Sequence, residues 1–320
     1  MSGSSRQKEA DIMADMSIAQ AAEKWGVSER SVRNYCAQGR VPGAYLEKKS
    51  WRIPRDAEKP KRAGKVQTRT TLLDVLREEK AAKYPGGIYH KTQIELTYNS
   101  NHMEGSRLTH DQTRYIFETN TVGAEREALN VDDIVETANH FRCVDFIIDH
   151  AGAALTEKFI KELHLMLKTG TSDAGKSWFA VGDYKKVPNE VGGMETAQPE
   201  EVHAKIKALL AEYQDKKQVG FQDILDLHVR FERIHPFQDG NGRVGRLIMF
   251  KECLKHKIVP FIIEDALKLF YYRGLQEWDW ERGYLTDTCL TAQDKYRAYL
   301  VYFRLTDIAE LKDDVDQNGG

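Results

Sequence analysis

Residues 235–246 read HPFQDGNGRVGR, and this stretch limits the possible fold more than any other part of the chain. Apolar residues recur at helical spacing over 221–234, and Pro236 disfavours helical geometry at His235. The pattern predicts a helix that ends at Ile234, a short loop, and a second helix that begins near Arg243. His235 should therefore be held at a rigid helix end.

The glycines of this loop predict an anion-binding turn. Gly240 and Gly242 permit backbone conformations closed to other residues, so that successive N–H groups can turn inward just before a helix N-terminus. Arg243 and Arg246 are three residues apart and should project from one helix face toward that turn. Together these features predict a polyphosphate cradle.

Two further side chains of the loop supply chemistry. Asp239 offers a carboxylate beside clustered phosphates, which suits Mg²⁺. His235 is a base with an ordinary pKa near neutrality, placed where it could take a proton from an incoming hydroxyl. Phosphoryl-type transfer needs mainly positioning, charge neutralisation and one such base.

The loop resembles the Fic motif HPFxDGNGRxxR and matches all nine of its fixed positions. The resemblance implies that His235 is the general base, that Phe237 anchors the loop and that Asp239 binds Mg²⁺. It implies an ATP substrate whose α- and β-phosphates are held by Gly240, Asn241, Gly242 and Arg243. Arg246 would meet the γ-phosphate.

Two other segments take roles from the same resemblance. The segment GDYKKVPNEVGG resembles the family's flap, which binds an edge of the target protein by β-augmentation. Tyr272 occupies a position where family members often place an aromatic ring against the nucleobase, although packing in the core is the alternative. Lys185 stands where the family commonly has arginine. The expected target-binding residues are Val187, Pro188, Asn189, Glu190 and Val191.

Ser100 and Glu104 are four residues apart and share a face if the preceding helix continues through them. A serine and a glutamate ahead of Gly105 usually mark only a helix end. Alongside the 235–246 loop, the stretch resembles the family's inhibitory motif [S/T]xxxE[G/N]. By this resemblance Glu104 pairs with Arg246, takes the place of the γ-phosphate and holds the enzyme off.

The activity implied is transfer of AMP from ATP to a Ser, Thr or Tyr hydroxyl of a protein, which could be the chain itself. Removal of AMP stays open, because a carboxylate such as Glu104 could align a water for hydrolysis. A third hypothesis is that the protein is a DNA-binding regulator whose Fic domain senses a nucleotide. A homodimer is also left open.

A separate pattern precedes these motifs. Residues 16–25 and 29–39 predict two short helices around a turn at Gly26, with Ser28 as an N-cap, and a short strand pair should follow. The segment resembles excisionase-like and MerR-like helix-turn-helix modules, and a protein-docking module is the alternative. Candidate DNA contacts on the second helix are Arg30, Ser31, Arg33, Asn34 and Gln38, with Lys48, Lys49 and Arg52 near a phosphate backbone.

Charge and composition support two tasks for the chain. Residues 1–70 hold 15 Lys/Arg against 8 Asp/Glu, a net charge of +7, which leaves −9 for the remainder of a chain with net charge −2. A basic segment on an acidic body suggests a polyanion partner for the first segment, although a solvated basic tail has the same composition. Four scattered cysteines and the lack of a long apolar run predict a cytoplasmic protein without a membrane span.

The expected fold class is mainly α: a Fic-type helical bundle with a small β-hairpin flap, plus a small N-terminal helix-turn-helix domain. The domains predicted are a helix-turn-helix over 1–57, a linker over 58–69, a Fic domain with its inhibitory helix over 70–312 and a tail over 313–320. A hairpin is expected within 179–193. Helices are expected over 71–83, 91–101, 109–118, 131–150, 156–168, 200–216, 221–234, 243–257, 265–277 and 292–312.

Overall fold

A computed structural model describes residues 15–37, 40–47, 50–60, 71–123 and 128–308. Contacts between Cα atoms divide the chain into two units, 1–68 and 69–320. The predicted linker positions 61–69 and tail 313–320, together with Gln38, Lys48 and Lys49, lie outside the described residues.

The first unit contains the predicted pair of short helices, α1 (Ile18–Trp25) and α2 (Glu29–Ala37). Ser17 caps α1 through a capping box with Gln20, and Gly26 ends it in the left-handed conformation with φ 63°. Strands β1 (Tyr45–Glu47) and β2 (Ser50–Arg52) pair antiparallel, as expected. The small core holds Met16, Ala21, Ala22, Trp25, Val32, Cys36, Val41 and Ile53.

The second unit is a helical bundle. Its central helix packs against at least four others and is buried on nearly every side, and charged residues are among its buried side chains. The helices are α3 (Leu72–Ala82), α4 (Ile88–Met103), α5 (His110–Thr119), α6 (Val131–Asp149), α7 (Glu157–Lys168), α8 (Pro199–Gln214), α9 (Phe221–Ile234), the central α10 (Asn241–Lys255), α11 (Lys268–Glu277) and α12 (Gly283–Tyr302).

The last helix differs from the prediction of 292–312. It begins nine residues earlier and ends at Tyr302, where the Phe303 N–H bonds to the Tyr299 carbonyl. Its buried stripe already starts at Leu285 and Cys289. The neighbouring threonines weakened this apolar pattern in the sequence, because β-branched residues have a lower helix propensity.

The hairpin is also shorter than predicted and spans 190–195, so that its second strand lies just beyond the expected segment 179–193. Only β3 (Glu190–Val191) and β4 (Met194–Glu195) pair. Gly192 and Gly193 both adopt positive φ, of 59° and 78°, which suits a two-residue turn between strands. Hydrogen bonds from Lys185 and Asn189 to the 235–246 loop, rather than strand pairing, fix the residues before it.

The four cysteines, Cys36, Cys143, Cys253 and Cys289, are all buried and unpaired. Within the described ranges, no helix has both the length and the apolar character that crossing a bilayer requires.

Candidate active site

His235 follows the last turn of α9, which ends at Ile234 as predicted. The residue has a left-handed backbone, φ 51° and ψ 63°, and its N–H still bonds to the Phe231 carbonyl. Nδ1 of the ring lies 3.3 Å from the carbonyl oxygen of Glu232. Burial, aided by the nearby Lys185 cation, lowers the pKa of His235 to about 4. The imidazole is therefore neutral at physiological pH.

The loop after His235 is pinned from inside. Phe237 is fully buried. Its N–H donates to Asn241 Oδ1 over 2.8 Å, and Asn241 Nδ2 donates back to the Phe237 carbonyl over 2.8 Å. The Asn241 side chain is thus committed to closing the loop, so a phosphate contact from this residue would come from its backbone N–H at the start of α10.

The two glycines of the loop meet different demands. Gly240 has φ 83° as the residue before α10, a conformation that favours glycine. At Gly242 a Cβ atom would lie 2.2 Å from Glu104 Oε1 and 2.9 Å from Arg246 Nη1. The absence of a side chain there leaves room for the two charged groups to meet.

Arg246 is almost fully buried and binds the end of α4. Its Nη2 donates to Glu104 Oε1 over 2.5 Å and to the Ser100 carbonyl over 2.9 Å, and its Nε donates to Ser100 Oγ over 3.0 Å. Burial alone would raise the pKa of Glu104, but Arg246 outweighs it and leaves that pKa below its ordinary value. The predicted partners Ser100, Glu104 and Arg246 thus lie together.

Arg243 points to a different set of carboxylates, although the sequence suggested that both arginines face one nest. It pairs with Glu136 of α6 and, over 3.0 Å, with Asp239 Oδ2. Lys168 of α7 also binds Glu136, and it lies 2.7 Å from both Asp239 and Asp173. Buried cations need such counter-charges, which explains the separate pairings.

Asp239 is the carboxylate of this group that opens to solvent. Its side chain is 48% exposed, against 13% for Glu136 and 20% for Asp173. Burial opposes ionisation, but Arg243 and Lys168 hold the pKa of Asp239 well below its ordinary value. Oxygen atoms of the three carboxylates lie within 4.8 Å of one another. This hard, ionised oxygen donor fits a magnesium ion.

Three residues of this site were not predicted from the sequence: Glu136, Lys168 and His164. They come from α6 and α7 and belong to no motif. Their positions in the helix could have indicated them, because His164 and Lys168 lie on the same buried stripe of α7 as Leu163 and Leu167. Polar residues on an apolar helix face need partners and often mark a site.

The expected flap lies against this loop. The Lys185 N–H donates to the Pro236 carbonyl over 2.8 Å, and Asn189 Nδ2 donates to the Phe237 carbonyl over 3.1 Å. Lys185 Nζ is 2.6 Å from both Asn189 Oδ1 and Thr196 Oγ1. Asn189 therefore points inward and ties the hairpin to the loop. The other predicted target-binding residues, Val187, Pro188, Glu190 and Val191, are exposed.

Tyr272 lies on α11 and is 39% exposed, so it is not a core residue. Its hydroxyl lies 3.4 Å from the Met103 carbonyl at the end of α4, next to Glu104. The buried ring beside it is Tyr271, whose hydroxyl lies 2.5 Å from His228 Nε2.

In the first unit, the outer face of α2 carries the predicted DNA contacts. Arg30, Arg33 and Asn34 are exposed. Ser31 is half-buried, and its backbone N–H donates to Ser28 Oγ, which caps the helix as predicted. Val32 and Cys36 point into the core.

Two family models match this chain. Residues 154–253 match the Fic/DOC family, and residues 16–57 match a helix-turn-helix domain. Ser100 and Glu104 precede the first of these segments. Several curated proteins called protein adenylyltransferase Fic are similar, among them the following two. The one from Drosophila willistoni is 28% identical over 214 residues, 63% of this chain and 38% of that protein. The one from Aedes aegypti is 25% identical over 186 residues, 57% of this chain and 36% of that protein. The chain thus spans under two fifths of the length of these relatives.

Solved structures agree on the fold. A Fic domain containing signaling protein from Bacteroides thetaiotaomicron is 27% identical, with a TM-score of 0.55 over 75% of this chain and 94% of that chain. Fic-1 from C. elegans is 17% identical, with a TM-score of 0.57 over 73% of this chain and 72% of that chain, and this likeness shows the fold alone. This chain therefore contains a Fic/DOC family domain and, ahead of it, a helix-turn-helix domain.

Proposed function

We propose that the second unit transfers AMP from ATP to a Ser, Thr or Tyr hydroxyl of a protein, and that Glu104 holds this activity off. The observation that carries the proposal is a neutral, buried His235 beside a glycine loop whose two arginines are held by carboxylates. The names of the similar curated proteins support the same reaction.

The orientation of His235 suits a general base. Nδ1–H donates to the Glu232 carbonyl, so the basic electron pair of the ring is on Nε2. Nε2 would take the proton of the target hydroxyl as its oxygen forms a bond to the α-phosphorus. The bond from that phosphorus to the bridging oxygen breaks, and pyrophosphate leaves. The products are AMP-protein and pyrophosphate, with the proton on His235 until solvent takes it.

The first turn of α10 would bind the phosphates. Its free N–H groups and the positive end of the helix dipole lie directly after Gly240, and Arg243 adds a fixed positive charge. A magnesium ion bound by Asp239 would neutralise phosphate charge at this point. The contacts of Asp239 with Lys168 and Arg243 would keep its carboxylate ionised for that task.

Glu104 would inhibit by occupying space and charge that ATP needs. Its carboxylate holds Arg246 and fills the space above Gly242. An arginine paired in this way is unavailable to the γ-phosphate, so ATP would bind in a pose unsuited to attack at the α-phosphorus.

Replacing Glu104 by glycine tests this proposal. Mass spectrometry of the purified variant after incubation with ATP and Mg²⁺ should find the mass of AMP on the chain or an added target. Glu104→Gln should release less activity, because the amide keeps the volume and loses only the charge. Glu104→Gly with His235→Ala should bind ATP and transfer nothing. Unchanged AMP incorporation in Glu104→Gly contradicts the inhibitory role.

Removal of AMP is a second candidate, because Glu104 is a carboxylate near the proposed base and could align a water. A pre-modified target incubated with the wild-type chain and Mg²⁺, without ATP, separates the two reactions. Loss of label supports hydrolysis, and retained label supports transfer.

We also propose that the first unit binds DNA through Arg30, Ser31, Arg33 and Asn34, since the outer face of α2 presents three of them to solvent. In a gel shift with DNA from upstream of the gene, affinity should fall steeply as salt rises. Arg30→Ala with Arg33→Ala should abolish the shift, whereas Lys217→Ala, an exposed cation of the second unit, should not. Binding that is absent or insensitive to salt contradicts the proposal and favours a protein-docking role.

A further inference from the structure

His164 is a fully buried imidazole on α7 whose two nitrogens bind two different segments. The Gly182 N–H lies 3.0 Å from Nδ1, and the Asp239 carbonyl oxygen lies 3.2 Å from Nε2. A backbone N–H can only donate, so Nδ1 accepts. Nε2 therefore carries the proton and donates to the carbonyl. These two contacts define a neutral ring in a single tautomer.

The same ring packs against the catalytic loop. It is stacked on Phe237, with 3.9 Å between ring centroids and an interplanar angle of 7°. A Cβ atom at Gly240 would lie 3.6 Å from His164 Cδ2. His164 thus contacts the loop at Phe237, at Gly240 and at Asp239, which is the proposed metal ligand.

On its other side the ring fixes the start of the flap. Gly182 has φ 75° and lies two residues before Tyr184 and three before Lys185, at the start of the flap. A Cβ atom at Gly182 would lie 2.9 Å from Leu165 Cβ, so the backbone runs tightly against α7. Farther along, Asn189 ties the hairpin to the loop independently of His164.

We propose that His164 is a positioning residue that couples the flap to Asp239, with one ring nitrogen for each. Its effect on AMP transfer rests on the proposed function, whereas the two hydrogen bonds do not. Movement of the flap on target binding would pull on Nδ1, and the same rigid ring holds the main chain of the metal ligand through Nε2. Target engagement and metal binding should therefore influence each other.

Two substitutions separate the two bonds. The amide of His164→Asn can reach the position of Nδ1 and accept from Gly182, but it cannot reach Asp239. The longer amide of His164→Gln can reach the position of Nε2 and donate to Asp239, but it leaves Gly182 without an acceptor. The readouts are the affinity for Mn²⁺ alone and amide hydrogen exchange over residues 182–195.

His164→Asn should weaken Mn²⁺ binding by roughly tenfold and leave flap exchange close to wild type. His164→Gln should keep Mn²⁺ affinity and speed flap exchange by roughly tenfold. In the Glu104→Gly background, the first variant should raise the Mg²⁺ requirement and the second should raise the KM for a protein target. Equal effects of both variants on both readouts, or no effect, would overturn the assignment of one ring nitrogen to each segment.

A measurement without substitution of His164 guards against loss of folding. Mn²⁺ binding to the Glu104→Gly chain should slow exchange of the Gly182 amide several-fold, whereas exchange in α8 should not change. An unchanged Gly182 amide would overturn the proposal. If AMP transfer fails but these binding and exchange results hold, the proposed function is wrong and the coupling stands.

Discussion

At the residue scale, the site consists of buried charges in matched pairs. Arg246 is satisfied by three acceptors from one helix end, two of them from Ser100. Arg243 and Lys168 share carboxylates from α6 and from the loop. Because an unpaired buried charge is costly, each pair fixes the position of both partners. The pair of Glu104 with Arg246, which we propose to be inhibitory, is thus one member of a set of contacts that orient the site.

The two contacts from Ser100 to Arg246 predict a graded response. Ser100→Ala removes the Oγ contact and keeps the carbonyl contact, so Arg246 should stay close to Glu104. We expect AMP incorporation to rise about two- to fivefold, well below the rise in Glu104→Gly, since one charge-assisted hydrogen bond contributes modestly. The incorporation of label from labelled ATP into protein measures this rise. Ser106→Ala, whose hydroxyl accepts from Leu108 N, is the matched control and should change nothing.

The lowered pKa of His235 predicts an unusual pH profile. A free base with the ordinary pKa of about 6.5 would keep only about a tenth of its base form at pH 5.5. With a pKa of about 4, His235 remains a base there. The rate of the Glu104→Gly variant should therefore be nearly constant from pH 7.5 to 5.5. Initial rates with folding monitored in parallel test this, and a tenfold loss by pH 5.5 would contradict it.

At the element scale, the helices meet through small residues as well as large ones. Gly274 of α11 lies against α12, and a Cβ atom there would be 2.6 Å from Leu285 Cα and 2.7 Å from Leu285 N. Backbone atoms cannot move aside as a flexible side chain can. The glycine thus sets how closely α11, which carries Tyr272, approaches α12.

Gly274→Ala should therefore lower the free energy of unfolding by about 2 kcal/mol, because the two helices must move apart. Urea denaturation followed by circular dichroism measures this. At Gly152, nothing lies within 4 Å of an added Cβ atom. Gly152→Ala should leave the unfolding midpoint nearly unchanged, and equal effects of the two substitutions would contradict the packing argument.

At the scale of the whole molecule, the second unit buries several titratable groups. Burial is the main cause that lowers the pKa of His140, His164 and His228 to about 3 and of His235 to about 4. Burial also raises the pKa of Glu232 to about 8. These shifts have opposite consequences when the pH falls.

The balance predicts loss of stability in mild acid. The four imidazoles bind protons near pH 6.5 only in the unfolded chain, so their stabilisation is lost as the pH falls below that value. Glu232 opposes this, since its folded form takes a proton that the unfolded form does not. The unfolded chain therefore binds about three more protons than the folded chain near pH 5, so the free energy of unfolding should fall by about 4 kcal/mol per pH unit there. Urea midpoints at pH 7 and 5.5 test this, and His140→Gln should reduce the slope by about one proton.

Much of the molecule was predictable because its determinants are local. Pro236 ended α9, and Gly26 and Gly192 with Gly193 mark turns that only particular backbone conformations allow. Helices with strong apolar spacing, such as α9, matched their predicted limits. The start of α12 was missed because its apolar stripe is interrupted by threonines.

The sequence by itself determined the helix-turn-helix domain, the bundle class and the identity of the loop from His235 to Arg246. These follow from spacing along the chain, because a loop of fixed residues brings its own base, glycines and charges together. Only the tertiary structure decided which charges pair. Glu136, His164 and Lys168 lie on helices more than 60 residues before the loop. No local pattern specifies such a distance, and burial selects those partners only once the helices pack.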